Sequence, residues 1–557
     1  MEAGMSLSLH TSYTVPQETA RIARAVLPTS NFYIRLSDTL GTLFQDQDFA
    51  ALFPKDGQPA LSPVRLMLVI ILQYVEGLTD RQAAEAVRTR IDWKYLLCLE
   101  ITDTGFDYSV LSEFRTRLIE SSWEQKVFEV LLARIRCQGL LKAGGQQRTD
   151  ATLVLGAVRD LSRLEMVGET LRSALNSLSI VAPDWMRMHY QEAWLDRYGV
   201  RVQNYRLPTS QIQRDAYAEV IGSDGLALLL SICTSQAPTW LREVPAVRRL
   251  HRVWIQNYTW REENQLRWRQ ADELPPGAWM LRSPYDEDVR LSKKRETLWV
   301  GYKVHITETC DENLPRIITH VETTLATTAD GQMTTPIHEA LKTKELLPAD
   351  HIVDTAYLDA QLLVTSQQTY GVNLVGPTRH DTAWQARQDP KGFTAIDFTV
   401  DWERCQATCP AGKTSQFWLP ATNTHGNSVI QIKFAKRDCR PCSLQIHCTR
   451  AHPPRRTITV LPEEQQKALW LAREREKTKA FAKLYARRAG IEGTISQGVR
   501  TFDLRRTRYI GLAKTHLQHV LISLAMNLVR TVHWLNEEPL ARTRPSAFVR
   551  LCQAPGT

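Results

Sequence analysis

Hydrophobic positions in the first quarter of the chain repeat with the spacing of helices. Ser62-Pro63 marks the start of one helix, which stays apolar until it ends at Gly77. Thr79 and Gln82 then form a capping box that starts the next helix. Two helices joined by so short a turn indicate a helix-turn-helix, although a small helical bundle produces the same pattern.

The helical pattern continues up to Gly144-Gly145, where the first firm boundary lies. A further helix is predicted to begin near Asp107, with Arg115 on its surface. Residues 1–30 carry no clear pattern and are predicted to be a flexible arm. We therefore expect a helical domain over residues 31–143.

Beyond this boundary the pattern changes to short strands separated by helices. Residues 299–309 alternate cleanly, with Val300, Tyr302 and Val304 on one face. Residues from about 158 to 280 are helical and are predicted to be an insertion between the first two strands. The other strands are predicted at 147–154, 317–325, 351–353 and 372–375, with a helix at 336–342. This order is that of an RNase H-like α/β core.

The last third of the chain contains an irregular, β-rich stretch with clustered cysteines, followed by long charged helices. We therefore predict a multidomain α/β protein with a mixed-sheet, RNase H-like core. Its segments are a flexible arm (1–30), a helical domain (31–143), the core (144–376) with its helical insertion (about 158–280), a small Cys-rich β insertion (377–460), the C-terminal helices of the core (461–540) and a tail (541–557).

Charge adds a candidate partner. The 557 residues carry a formal net charge of +9. Between residues 473 and 550, sixteen Lys or Arg stand against six Asp or Glu. Such a stretch is either a solvated helix face or a surface that contacts phosphates, and charge alone favours neither.

The chain shows no pattern of export or of membrane insertion. Residues 1–10 lack a basic region followed by an apolar run, so no signal peptide is expected. No stretch approaches the ~20 apolar residues of a membrane span. We expect a cytoplasmic protein without a membrane partner.

Two aspartates lie within or directly after predicted strands. Asp150 is in the middle of an apolar strand, where a carboxylate is costly unless it is paired or binds metal. Asp354 follows the strand at 351–353 directly, where α/β sheets place ligand groups. Each has a structural alternative, because Asp150 can face water on an edge strand and Asp354 can cap a helix.

A third acid decides between these alternatives. Tyr485, Arg488 and Glu492 are spaced i, i+3 and i+7, which places them on one face of a helix. Glycines flank Glu492, so a break in the helix is expected close to it. Tyr-x2-Arg-x3-Glu resembles the signature of DDE transposases of bacterial insertion sequences. Further segments resemble one branch of that family, in the same order along the chain: 148–152, 299–305, 353–360, 485–497 and 511–519.

The resemblance implies an enzyme with an RNase H-like core that cleaves and joins DNA. Asp150, Asp354 and Glu492 correspond to its metal-binding triad, which holds two Mg²⁺ or Mn²⁺ ions. The implied partner is double-stranded DNA, both the inverted-repeat ends and the target, bound by a homodimer or larger assembly. In a bacterial cell such a protein is cytoplasmic and is associated with the nucleoid when it is bound to DNA.

The same resemblance assigns DNA contacts. Tyr485 and Arg488 correspond to residues that contact DNA near the cut, and the helical N-terminal domain would recognise the ends. The family places a Lys seven residues after the Glu, whereas this chain has Val499. The DNA-binding residues expected in the basic stretch are Arg500, Arg505, Arg506 and Arg508. The alternative function is that of a non-catalytic, repressor-like relic that only binds DNA.

The cysteines form a separate signal. Cys409, Cys439, Cys442 and Cys448 have the spacing C-x29-C-x2-C-x5-C, which is typical of a structural zinc site. Cys405 and His447 are spare candidates for the same site. The alternative is a set of reduced thiols without metal.

Overall fold

The computed structural model describes residues 5–7, 13–54, 56–262, 265–424 and 426–538, together with Phe548 and Cys552. The protein is a mixed α/β structure, with 21 helices and 15 strands in these ranges. The remaining residues of the predicted tail, 541–557, and several residues of the predicted arm lie outside the described residues.

Local capping signals determine the N-terminal helices. The Ser62 hydroxyl accepts from the N–H of Arg65 (3.3 Å), and Gly77 ends that helix in the left-handed region at φ 71°. Thr79 and Gln82 form the predicted capping box. The elements here are β1 Met5–Ser6, α1 Gln17–Val26, α2 Phe32–Leu40, β2 Gln58–Pro59, α3 Pro63–Glu76, α4 Asp80–Thr89, α5 Ile91–Leu96, α6 Ser109–Glu120 and α7 Glu124–Cys137.

Two features of this region differ from the pattern-based expectation. Helix α1 lies within the stretch predicted to be an arm, and the buried Thr19 hydroxyl donates to the carbonyl of Leu99 (2.8 Å). Arg115 was expected on the surface but is buried, where it donates to the Asp80 carboxylate (2.9 Å). The amphipathic spacing of α6 did not reveal this pair, because Asp80 belongs to another helix.

The insertion between the first two strands of the central sheet has its own hydrophobic core, which runs from Leu161 to Leu281. Helix α11 is long and apolar enough to cross a membrane by length and composition, so the expectation that no segment would be was wrong on that criterion. It packs on α8 and α12 within this core. The elements are β3 Gln146–Leu155, α8 Arg163–Val181, α9 Pro183–His189, α10 Glu192–Tyr198, α11 Gln211–Cys233, α12 Pro245–Asn257, β4 Tyr258–Glu262 and β5 Gln265–Trp268.

The central sheet is mixed, with β3 in its middle. β3 pairs with β7 antiparallel along residues 147–155, and with β9 parallel at its N-terminal end. β10 continues the sheet beyond β9, while β6 and β8 both pair with the far edge of β7. The remaining elements of this layer are β6 Arg290–Lys294, β7 Thr297–Thr309, β8 Ile318–Leu325, α13 Thr334–Thr343, β9 Asp350–Ile352, α14 Ala360–Tyr370 and β10 Asn373–Val375.

The rest of the chain forms a small Cys-rich β unit and then the C-terminal helices. The small unit has its own core around Phe398, Ile432 and Phe434. Its elements are α15 Trp384–Arg387, β11 Thr399–Asp401, β12 Gln406–Thr408, β13 Phe417–Thr422, β14 Ser428–Lys433, α16 Lys436–Cys439, α17 Gln445–Cys448 and β15 Thr457–Val460. The helices are α18 Glu463–Glu476, α19 Lys479–Tyr485, α20 Gly490–Thr501 and α21 Leu512–Leu535.

The last helix, α21, joins the N-terminal helices to the sheet. It packs on α2, α3 and α7 as well as on β8. The Asn527 side chain accepts from the N–H of Ile318 and donates to its carbonyl (both 2.8 Å). One hydrophobic core therefore runs without a break from the N-terminal helices through α21 to the central sheet.

Candidate active site

Asp150 lies near the middle of β3. Its carboxylate accepts from the N–H of Ala151 (2.8 Å) and from the guanidinium of Arg488 (2.8 Å). Burial raises the pKa of the Asp150 carboxyl; Arg488 lowers it and the nearby Asp354 raises it, with a net upward shift. Asp150 is thus a largely buried acid with a second carboxylate close by.

Asp354 lies just after β9, the strand parallel to β3. The carboxylate accepts from the N–H of Ala356 (2.8 Å) and caps the 3-10 turn Thr355–Tyr357. It therefore has the capping role of the structural alternative. Its charge is also near enough to raise the pKa of both Asp150 and Arg488.

Glu492 is in the first turn of α20. The Tyr-x2-Arg-x3-Glu motif is not one continuous helix: Tyr485 ends α19, Arg488 lies in the 3-10 segment Ala486–Ala489, and Glu492 follows in α20. The expected break therefore falls just before the acid. The Glu492 side chain is 70% exposed, and Arg488 is 3.4 Å from its carboxylate.

Arg488 connects the acids of the site. One Nη atom contacts Asp150 and the other contacts Glu492. Burial lowers the pKa of Arg488, but Asp150 and the other nearby acids raise it more, so the guanidinium stays charged. Its Nε–H is buried and has no hydrogen-bond partner among the described residues. The Arg488 guanidinium therefore contacts two of the acids and keeps one donor free.

The donor chemistry of these acids suits a hard divalent cation, since carboxylate oxygens are the ligands that Mg²⁺ and Mn²⁺ prefer. In the described ranges, however, no group of three or more His, Cys, Asp or Glu side chains has the spacing of a formed metal site. A positive charge already lies among the acids, in the form of Arg488. The carboxylates suit such a cation by their chemistry, and the Arg488 guanidinium contacts two of them, Asp150 and Glu492.

The other predicted DNA-binding residues fall into two groups, of which the first lies beside the acids. Tyr485 stacks on Phe481 (centroids 5.6 Å apart), which anchors α19 beside the ends of β9 and β10. The Nε–H of Arg505 donates to the Thr152 hydroxyl (2.7 Å), two residues after Asp150 on β3. Tyr485 and Arg505 are therefore held beside the acids.

The other three arginines of the basic stretch are further along the surface. Arg500 is exposed in the last turn of α20, and Arg506 is exposed next to Leu155 at the end of β3. Arg508 donates to the carbonyl of Leu78 (2.9 Å) and lies over the Tyr74 ring. Arg508 therefore contacts the N-terminal helices and not the acids.

Three residues near the acids were not identified from the sequence as site residues. The Tyr357 hydroxyl is buried against His305 (2.6 Å), and the charges of Asp150 and Asp354 help to raise its pKa. Lys294, at the tip of the β6–β7 hairpin, is near enough to lower the pKa of Asp150. His305 and Tyr357 fall within segments quoted for the family resemblance, which was the signal that could have found them, whereas nothing in the sequence pointed to Lys294.

The four predicted zinc ligands line one small pocket in the Cys-rich unit. Burial raises the pKa of the Cys448 thiol to about 11, and the three other cysteines add to the shift. Backbone N–H groups donate to the sulfurs of Cys409 (3.4 Å) and Cys439 (3.5 Å). The spare candidates lie apart from this arrangement, since Cys405 is exposed and His447 pairs with Asp389 (2.7 Å).

Comparison with known families gives two matches. A sequence model described as the transposase DDE domain matches residues 408–532, and one described as a transposase domain (DUF772) matches residues 21–117. The first region contains the cysteine pocket and Glu492, whereas Asp150 and Asp354 lie outside it. The second covers most of the N-terminal helices. Among curated proteins, no match was found.

Proposed function

Because this chain belongs to the DDE transposases of insertion sequences, we propose that it cuts DNA at the inverted-repeat ends of its element and joins them to target DNA. DNA is the substrate of this family, and the family uses divalent metal ions. The observation that supports the proposal is that Arg488 contacts Asp150 (2.8 Å) and lies 3.4 Å from Glu492, while the charge of Asp354 is near enough to raise the pKa of Arg488.

The sheet supports an RNase H-like core for this activity. Its strands run β8, β7, β3, β9 and β10 across the sheet, with the first three antiparallel and the last two parallel to β3. This arrangement places Asp150 on the central strand and Asp354 at the end of its parallel neighbour. We propose the domain boundaries given by the sequence on the same basis, with α20 and α21 completing the core.

Phosphodiester cleavage requires little covalent chemistry from the protein itself. Asp150, Asp354 and Glu492 would hold two Mg²⁺ or Mn²⁺ ions, which neutralise charge on the reacting phosphate when bound. Arg488, with its free Nε–H, would donate to a phosphate oxygen next to the cut. Arg505, fixed by Thr152, would hold the DNA backbone in line with the acids.

A cleavage assay tests the proposed function. The full chain is incubated with labelled DNA that carries the inverted repeats flanking its gene, with Mg²⁺, with Mn²⁺ or with a chelator. We expect strand cuts at the repeat ends that leave 3′-hydroxyls and that the chelator abolishes. Binding to the repeats without metal-dependent cutting would support the non-catalytic relic instead.

The basic stretch provides a prediction about DNA affinity. Replacing Arg505 and Arg506 together by Ala is expected to weaken binding to repeat and random DNA alike, because phosphate contacts carry little sequence information. The slope of log affinity against log salt should fall by ~1 for each phosphate that is no longer neutralised, measured by fluorescence anisotropy at several salt concentrations. Arg187→Ala, which breaks an exposed pair with Asp184 in the insertion, is the control. An unchanged slope in the double variant would make this stretch only a solvated helix face.

We further propose that Cys409, Cys439, Cys442 and Cys448 bind one structural Zn²⁺. The shared pocket and the N–H donors to sulfur support thiolate ligands there. Protein purified without chelator should contain about one zinc per chain by elemental analysis. Cys442→Ser should lose most of the zinc and lower the melting temperature, whereas the exposed Cys137→Ser should change neither. Zinc-free protein with four titrating thiols would contradict this proposal.

A further inference from the structure

A fully buried carboxylate, Glu308 on β7, lies behind the candidate active site. It accepts from Arg148 on β3 (2.6 and 2.8 Å), from the Thr494 hydroxyl on α20 (2.6 Å) and from Arg530 on α21 (2.8 Å). Burial alone would raise the pKa of Glu308, but Arg530 and Arg148 outweigh it and hold the pKa below its ordinary value. One ionised group therefore joins two strands and two helices.

The same network holds the segment that carries Arg488 and Glu492. Arg148 also donates to the carbonyl of Arg487, at the start of this segment. On the other side, Arg530 donates to the Thr494 hydroxyl (2.7 Å) and to the Gln497 side chain (2.9 and 3.0 Å). The segment from Arg487 to Gln497 is thus tied to the sheet through Arg148 and Glu308 and to α21 through Arg530, by charge-assisted hydrogen bonds.

Gly490 shows how closely this segment approaches the network. A Cβ at Gly490 would overlap the guanidinium of Arg148. That guanidinium is only 3% exposed and is held by Glu308, so it has no room to move aside. At Gly493, by contrast, a Cβ would meet nothing within 4 Å. Glycine is therefore needed at position 490 for a reason of packing that does not apply at 493.

We infer that Glu308 is a positioning residue, which sets the distance of Glu492 and Arg488 from Asp150 through Arg148, Thr494 and Arg530. This role rests on the proposed function. Register provides the link: Arg148 is two residues before Asp150 on the same face of β3, and Glu308 is its direct partner on β7. Glu492 is itself exposed, so its position depends on how α20 is held and not on its own contacts with the sheet.

The experiment uses the full chain in four variants. Glu308→Gln keeps the shape and removes the charge, Thr494→Val removes only the hydroxyl on the α20 side, and Thr494→Ser keeps that hydroxyl. Gly490→Ala places a methyl group against Arg148. Mn²⁺ binding without DNA is measured by electron paramagnetic resonance, and hydrogen exchange of α20 amides by mass spectrometry.

We expect Glu308→Gln, Thr494→Val and Gly490→Ala to weaken Mn²⁺ binding by roughly 10- to 100-fold, as loss of groups that orient metal ligands does. They should also speed exchange in α20, whereas Thr494→Ser should resemble the wild type. Alanine forms helix better than glycine, so helix propensity alone predicts that Gly490→Ala stabilises α20. The opposite result is expected here.

Two controls separate positioning from general stability. Asp224→Asn breaks another buried pair, with Arg197 (2.8 Å), in the insertion, and Gly493→Ala makes the same change as Gly490→Ala in open space. Both should bind Mn²⁺ like the wild type. The positioning role is overturned if Asp224→Asn, at a similar loss of melting temperature, weakens Mn²⁺ binding as much as Glu308→Gln does. It is also overturned if Thr494→Val and Glu308→Gln bind Mn²⁺ normally in a protein that cuts DNA. A wild type that neither binds Mn²⁺ nor cuts DNA overturns the proposed function together with this role.

Discussion

Asp150→Asn, Asp354→Asn and Glu492→Gln are each expected to abolish DNA cleavage while leaving DNA binding nearly unchanged. Each substitution keeps the shape of the side chain and removes the charge that divalent ions need. Losing about 4 kcal/mol of stabilisation at the reacting phosphate slows cleavage about 10³-fold. Single-turnover cleavage of repeat DNA measures the rate, and anisotropy measures binding of the same DNA.

A neighbouring aspartate provides the matched control for this result. Asp359 caps α14 by accepting from the N–H of Leu362 (2.8 Å), only five residues after Asp354. Asn caps helices as well as Asp does, so Asp359→Asn should cut DNA at the wild-type rate. Mg²⁺-dependent cutting by one of the three triad variants at a rate close to that of the wild type would remove that residue from the catalytic set.

The second large effect is expected for Arg488→Ala, which should raise the affinity for Mn²⁺ and lower the rate of DNA cleavage. Without the guanidinium between Asp150 and Glu492, added cations no longer compete with a fixed charge, so Mn²⁺ should bind more tightly to the DNA-free protein. Cleavage should nevertheless fall about 100-fold, because the variant lacks the donor next to the reacting phosphate. DNA affinity should change far less than the cleavage rate.

Arg488→Lys separates charge from geometry in this prediction. Lysine keeps the positive charge but lacks the planar fork that contacts two carboxylates at once. We expect Mn²⁺ affinity near that of the wild type and cleavage close to that of Arg488→Ala. If Arg488→Ala and Arg488→Lys each lowered DNA affinity and the cleavage rate by the same factor, Arg488 would instead be an ordinary phosphate-binding residue.

Elements specified by nearby residues were the ones that sequence predicted well. The helix after Ser62 and the capping box at Thr79 depend on residues within one turn, and both were found where the pattern placed them. The strand predicted at 317–325 is found at Ile318–Leu325. The alternating pattern at 299–309 likewise marked β7, which begins two residues earlier.

Contacts between distant segments were not predictable in this way. Strand β6 was missed because charged residues fill its second half and hide the alternation. Arg115 was placed on the surface because its partner, Asp80, lies on another helix. The three acids were proposed from motifs, but the contact of Arg488 with Asp150 joins residues 338 positions apart, and that of Arg148 with Glu308 joins residues 160 positions apart.

The continuous core through α21 has a consequence for the distance between the N-terminal helices and the strand that carries Asp150. A recognition domain joined by a flexible linker would allow the position of cleavage to vary relative to the bound sequence. Here the N-terminal helices and the strand carrying Asp150 share one packed interior, which transmits displacement instead of absorbing it. If those helices recognise the ends of the element, the rigid core sets a fixed number of base pairs between the sequence that is recognised and the bond that is cut.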